Sequence, residues 1–173
     1  TQSQLVMACR LNGLSDYERQ YPLTLFNIIF GGCSDSKLFK EVREENSLCY
    51  SISSSFSGVT NTMLISSGIN ASDFKKCVTL IKKILKDISS GNIKDEELEK
   101  GKITYLSTFK ELEDSIYSMM SLYVSKEYLD LDLLEEKKKE IEKVTKEDII
   151  KFSKKIHMDT IYLLEGEAWK RRK

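Results

Sequence analysis

Apolar and polar residues alternate over three stretches of the chain, and this two-residue period predicts β-strands with one buried face. The first covers residues 4–11, where the apolar positions are Leu5, Met7, Cys9 and Leu11. The second and third, residues 48–56 and 61–69, flank Ser57 and Gly58, so we predict an antiparallel hairpin. Tyr50 shares its alternation with Ile52, which predicts that Tyr50 faces the core. A last strand is predicted over residues 160–164.

The other segments place apolar residues at helical spacing. Helices are predicted over residues 22–30, 36–45, 72–90, 95–123, 132–144 and 145–156. The fourth is predicted to be continuous, with an apolar stripe from Leu98 through Ile116 to Tyr123. Segregated helices and few strands predict an α+β fold, an antiparallel β-sheet with helices packed on one face. At 173 residues, we expect a single domain spanning 1–173.

Composition and charge limit the classes of binding partner and the cellular compartment that we expect for this chain. The 27 basic and 27 acidic residues cancel, so no net field favours a nucleic-acid partner. No apolar run approaches the roughly 18 residues of a membrane span, so we expect no membrane partner. The four cysteines are widely spaced and are predicted to be free thiols in a reducing, cytoplasmic environment. The chain starts without Met, and we expect it to be part of a longer protein, with residues 169–173 as a frayed end.

No complete catalytic or metal-binding set is evident in the sequence. The only histidine, His157, excludes an H-E-x-x-H zinc helix on this chain. No G-x-S-x-G turn is present, and Gly31-Gly32 precedes Cys33 rather than the G-K-[ST] of a phosphate loop. We therefore predict no catalytic residue, metal ligand or cofactor on this chain alone.

Arg43 and Tyr50 are the remaining candidates for a binding site. An arginine offers a planar fork of donors to carbonyl or carboxylate groups. A tyrosine at the start of a strand offers a hydroxyl donor to a substrate carbonyl or a developing oxyanion. The alternative is structural: Arg43 pairs with Glu41 or Glu44, and Tyr50 fills the core. The residues alone leave both interpretations open.

Several segments, in order, resemble one peptidase family. They are Asn27-x-x-Phe30-Gly31-Gly32, Ser36-Lys37-Leu38-Phe39, Val42-Arg43-Glu44, Leu48-Cys49-Tyr50-Ser51, Ser67-Gly68, Gly91-x-Ile93 and Asp95-Glu96-Glu97-Leu98-x-x-Lys. The chain is similar to the non-catalytic, C-terminal half of the pitrilysin/insulinase family of zinc metallopeptidases, which includes the mitochondrial processing peptidases. Within that family it most resembles a bacterial cytoplasmic subgroup named for association with elongation factor P modification.

The resemblance implies a fold and a division of labour. The fold is an α+β half-domain, and zinc with its H-E-x-x-H helix lies in another half or subunit. This half then supplies an arginine and a tyrosine, seven positions apart, that grip the substrate backbone. Arg43 and Tyr50 fall on those positions. The resemblance also implies that family members often carry glycine where this chain has Ser47, so we expect the loop before Tyr50 to differ in shape from theirs.

Two functions follow as expectations. In the first, the chain is the substrate-gripping half of a bacterial insulinase-like peptidase, inactive alone, with a zinc-bearing half or homologous subunit as partner and a peptide as substrate. In the second, it belongs to a catalytically dead scaffold or assembly subunit. The sequence also leaves open a homodimer joined through an exposed sheet edge.

Overall fold

The computed structural model describes residues 2–166, which form a four-stranded antiparallel sheet and seven α-helices. Residues 169–173, predicted to fray, lie outside the described residues. The strands are β1 (Ser3–Leu11), β2 (Cys49–Ser57), β3 (Thr62–Ile69) and β4 (Ile156–Leu164). The α-helices are α1 (Asp16–Gln20), α2 (Pro22–Asn27), α3 (Phe74–Ser89), α4 (Asp95–Glu113), α5 (Ile116–Leu129), α6 (Leu134–Lys143) and α7 (Lys146–Ser153). Two π-helical segments, Ile28–Gly32 and Leu38–Glu45, lie between α2 and β2.

The sheet has the strand order β2-β3-β1-β4, and all neighbouring strands are antiparallel. One face is buried beneath the helices, and the predicted alternation of β1 is confirmed because Leu5, Met7, Cys9 and Leu11 are all buried. The hairpin of β2 and β3 is also confirmed. The α+β prediction is therefore correct, with β2 and β4 at the two edges of the sheet.

Gly31 brings the first π-helical segment directly onto β2. A Cβ atom at Gly31 would lie 2.6 Å from Ser54 Oγ and 2.7 Å from Leu38 Cδ1, distances that a real side chain does not tolerate. The Ser54 hydroxyl donates to Asn27 Oδ1 at 2.7 Å, which satisfies a buried polar group at this contact. The close approach fixes how the chain enters the Leu38–Glu45 segment that carries Arg43.

The prediction of one continuous helix over residues 95–123 is wrong, because the helix is interrupted between Glu113 and Ile116. Ser115 begins a new helix by accepting a hydrogen bond from the Ser118 N–H at 3.2 Å, as an N-cap residue does. Ile116, the first residue of the new helix, is 81% exposed. The apolar residues therefore continue at helical spacing in the sequence, but those of the second helix are not buried with those of the first.

The C-terminal boundary and one short helix also differ from the predictions. Helix α7 starts at the expected Thr145 capping box but ends at Ser153, and Ile156 starts β4 instead of closing a helix. Strand β4 is thus longer than predicted and contains His157. Helix α1 was not predicted from the sequence; Ser15 is its N-cap residue.

Candidate functional site

Arg43 and Tyr50 lie on either side of a short, tightly held connection. Arg43 is in the last turn of the Leu38–Glu45 π-helix, and Tyr50 is near the start of β2. The Ser47 N–H donates to the Arg43 carbonyl at 3.1 Å, and the Leu48 N–H donates to the Val42 carbonyl at 3.0 Å. These two hydrogen bonds fold the connection back on the helix end. They fix both residues at one edge of the sheet, and both are exposed.

A β-bulge decides the direction of Tyr50. Cys49 pairs with Ile69 and Ser51 pairs with Gly68, so Tyr50 is an extra residue in β2. An extra residue reverses the alternation on its N-terminal side and re-aims one side chain. The predicted core-facing orientation is therefore wrong: Tyr50 is 59% exposed, whereas Cys49 and Ile52 are buried.

The Tyr50 hydroxyl is held by a polar pair that follows β3. It donates to Asn70 Oδ1 at 3.1 Å, and Asn70 Nδ2 donates to Asp73 Oδ2 at 3.4 Å. A tyrosine hydroxyl has a single proton, so Tyr50 must release Asn70 before it donates elsewhere. Asn70 was not predicted as a site residue. The sequence feature that could have identified Asn70 is its position directly after β3, at the end of the sheet where Tyr50 lies.

Arg43 stacks on an aromatic ring and makes no ion pair among the described side chains. Its guanidinium carbon lies 4.5 Å from the centroid of the Phe39 ring, one turn earlier. The predicted alternative pairing with Glu41 or Glu44 does not occur within residues 2–166. Stacking holds the planar group while leaving its donors available to a ligand.

The thiols beneath this surface are protonated at neutral pH. Burial raises the pKa of Cys49, although the Ser67 hydroxyl and the charge of Arg43 act in the opposite direction. Burial also raises the pKa of Cys77 to about 11. Because the thiolate is the nucleophile, neither group is poised for covalent catalysis.

The described residues do not fit a metal site. Within residues 2–166, no group of three or more histidine, cysteine, aspartate or glutamate side chains could hold a metal ion. His157 lies on β4 opposite Arg10 in the register of β1, away from Tyr50. No α-helix in the described part of the chain is long and apolar enough to cross a membrane.

A four-stranded antiparallel sheet covered on one face by helices is the fold of a metallopeptidase half-domain, as the similar solved structures below show. The Peptidase M16 inactive domain family matches residues 1–105, and the chain belongs to that family. Among curated relatives, the chain is 32% identical over 151 residues to "Probable inactive metalloprotease YmfF" of Bacillus subtilis (strain 168), covering 86% of this chain and 35% of the relative. It is also 32% identical over 88 residues to "Uncharacterized zinc protease YmxG" of the same organism, covering 50% of this chain and 22% of that protein.

Solved structures share the fold. A conserved protein from Enterococcus faecalis V583 superposes with a TM-score of 0.91 at 29% identity, over 98% of this chain and 40% of that chain. A peptidase M16 inactive domain from Pseudomonas fluorescens superposes with a TM-score of 0.77 at 18% identity, over 98% of this chain and 43% of that chain. The 173-residue chain thus spans 35% and 22% of the curated relatives it matches.

Proposed function

We propose that this chain is the substrate-gripping, non-catalytic half of an M16 zinc peptidase, and that peptide hydrolysis requires a zinc-bearing half or homologous subunit. The observation that carries the proposal is the bulge at Tyr50. A bulge that turns a tyrosine out of the core, beside an arginine free of carboxylate partners among the described residues, favours a ligand-binding role. A core-filling tyrosine would need no such irregularity.

The two side chains have complementary roles in this proposal. Arg43 orients the bound peptide by hydrogen bonds to its backbone carbonyls. Tyr50 exchanges its hydrogen bond to Asn70 for one to the carbonyl under attack, which stabilises negative charge as it forms. Asn70 keeps the hydroxyl in place when no substrate is bound.

The surface of α5 supports a partner. Helix α5 buries none of its residues within the described chain, and its exposed apolar side chains are Ile116, Tyr117, Met120, Tyr123, Val124, Tyr128 and Leu129. An apolar surface of this kind is typical of a protein interface. We propose that it contacts the zinc-bearing half. We also propose a cytoplasmic location, supported by four free thiols, and membership of the elongation factor P-associated subgroup.

The test is Tyr50→Phe in the assembled peptidase. Loss of one oxyanion donor should lower kcat by about 10²–10³ while KM changes little. Tyr162→Phe is the matched control, because Tyr162 is 57% exposed on β4 and should leave kcat unchanged. Unchanged kcat and KM for Tyr50→Phe would overturn the role.

A scaffold role is the second candidate, and it is favoured by similarity to a protein described as a probable inactive metalloprotease. In that case Arg43 and Tyr50 contribute only to structure. Their replacement would then lower thermal stability without changing the activity of any complex that contains this chain.

A further inference from the structure

A groove runs between the Arg43–Tyr50 connection and α3. It is shallow and largely open to solvent, with a volume of about 570 Å³; Asn46 and Leu48 form one side, and Lys75, Lys76 and Lys83 line the other with Leu80. Asn46 and Leu48 belong to the connection that joins Arg43 to Tyr50, so the groove begins between the two proposed gripping residues. All three charged residues that line it are lysines.

These lysines have no carboxylate partners in the described part of the chain. Lys75, Lys76 and Lys83 are exposed, and none forms an ion pair within residues 2–166. Some other exposed lysines are paired: Lys100 pairs with Glu96, and Lys143 pairs with Glu140. The α3 surface therefore presents three lysines whose charges are not neutralised by a direct ion pair within residues 2–166.

The helix dipole adds to this charge. Lys75 and Lys76 lie in the first turn of α3, whose first turn contains no acidic residue. Positive side chains are unfavourable at a helix N-terminus, where the free N–H groups already concentrate positive potential. Asp73, the N-cap residue of α3, offsets part of this potential, and the positive potential that is left favours a carboxylate ligand near Lys75 and Lys76.

Acidic groups surround the groove without lining it. Asp73 precedes α3 and accepts a hydrogen bond from Asn70. Burial raises the pKa of Glu41 on the π-helix, and the charges of Lys37 and Lys83 act in the opposite direction. Glu41 is half-buried, and it does not reach Lys83 closely enough to form an ion pair. The groove surface itself is basic, with Leu48 and Leu80 as apolar contacts.

We propose that this groove binds an acidic segment of an extended polypeptide, with its carboxylates contacting Lys75, Lys76 and Lys83 and its apolar side chains contacting Leu48 and Leu80. The inference deepens the proposed function, on which it rests for the identity of the ligand as substrate. Asn46 and Leu48 of this groove belong to the connection between Arg43 and Tyr50, so a polypeptide held here would lie beside the proposed gripping residues. The site thus selects substrates with acidic residues on one side of the gripped bond.

The experiment measures the affinity of the complete 173-residue chain for two labelled peptides by fluorescence anisotropy. One peptide alternates glutamate with leucine, and the other carries glutamine in place of glutamate. The glutamate peptide should bind at least about tenfold more tightly, and its affinity should fall as salt is added. Equal affinity for the two peptides would overturn the proposal.

Substitutions then locate the binding. The triple variant Lys75→Gln, Lys76→Gln and Lys83→Gln should bind the glutamate peptide about tenfold more weakly, since three exposed ion pairs are lost. A matched control, Lys110→Gln with Lys139→Gln and Lys151→Gln, makes the same change in net charge at exposed positions elsewhere and should bind as the unmodified chain does. Equal losses in both triple variants would overturn the groove as the site. Lys83→Gln alone, with a smaller loss, supports it independently.

Two further outcomes distinguish peptide binding in this groove from binding of other anionic ligands and from the proposed role of Tyr50. A single-stranded oligonucleotide or anionic lipid vesicles that bind the same lysines more tightly than the glutamate peptide would overturn the peptide assignment. The gripping role of Tyr50 is tested by kcat rather than by affinity. Failure of that role and failure of the groove therefore give separate results.

Discussion

At Ser47 the backbone adopts a left-handed conformation, with φ of 50°. This conformation is unfavourable for a residue with a side chain and natural for glycine. The loop before Tyr50 thus takes a backbone shape that glycine favours, although residue 47 is a serine.

We predict that Ser47→Gly stabilises the protein by about 0.5–1 kcal/mol, because it relieves this strain at the cost of some added freedom in the unfolded chain. Urea denaturation measures the change. Ser55→Gly, in the extended backbone of β2, is the control and should destabilise. A destabilised Ser47→Gly variant would show that the Ser47 side chain, and not the backbone, sets the loop.

Glu18 ties the N-terminal helix to the C-terminal part of the chain. It is 7% exposed, and its Oε2 accepts from Lys155 Nζ at 2.6 Å and from the Ser15 N–H at 2.8 Å. Burial acts to raise the pKa of Glu18, but the hydrogen bonds from Lys155 and Ser15 outweigh it, so the pKa lies below its ordinary value of 4.5. The ionised carboxylate therefore stabilises the fold above that pH.

We predict that Glu18→Gln lowers the free energy of unfolding by about 1–3 kcal/mol at neutral pH. A lowered pKa means that the contribution of Glu18 is complete above the unfolded value and is lost as the pH falls through the folded value. The difference between the two proteins should therefore shrink below pH 4.5. Chemical denaturation across this range is the measurement. Glu99→Gln, at a carboxylate that is 65% exposed, should change the free energy by less than about 0.5 kcal/mol.

At the scale of elements, α5 differs from the other long helices. Helix α3 buries Cys77, Ile81, Ile84 and Ile88, whereas α5 buries none of its residues in the described chain. The helix is interrupted at Ser115, which has an extended backbone conformation and is the N-cap residue of α5. The apolar residues of α5 are consequently left for a partner in the proposed assembly.

We predict that Tyr117→Lys combined with Val124→Lys prevents association with the zinc-bearing half. Because these side chains are 81% and 55% exposed, the free energy of unfolding should stay within about 0.5 kcal/mol of that of the unmodified chain. Size-exclusion chromatography of the mixed halves measures association. Val59→Lys, 75% exposed in the β2–β3 turn, is the control and should not affect it. Full association of the double variant would exclude α5 from the interface.

At the scale of the whole molecule, the proposed function assigns substrate binding to this chain and hydrolysis to a zinc-bearing half; within residues 2–166, no group of three or more histidine, cysteine, aspartate or glutamate side chains could hold a metal ion. We predict that the isolated chain, supplied with zinc, has no peptidase activity, and that a mixture with the zinc-bearing half is active. Activity of the mixture should be lost on chelation of zinc and in Arg43→Ala. Hydrolysis by the purified chain alone would contradict the division of labour.

Much of this arrangement could be predicted from sequence because it depends on local periodicity. The alternation of Leu5, Met7, Cys9 and Leu11 identified β1, and the capping residues Thr145 and Gly91 marked the limits of α7 and α3. The break at Ser115 was missed because apolar residues continue at helical spacing on both sides of it. A single serine cap is too small a signal against that pattern.

The sequence by itself determined the α+β class, the order of the main elements and the positions of Arg43 and Tyr50, because apolar spacing and short motifs are local properties of the chain. Only the tertiary structure decided where those side chains point. The bulge at Tyr50 depends on how β2 pairs with β3, and the basic groove depends on α3 packing beside the residue 46–48 connection. Neither contact is between neighbours in sequence, so no local pattern could specify it.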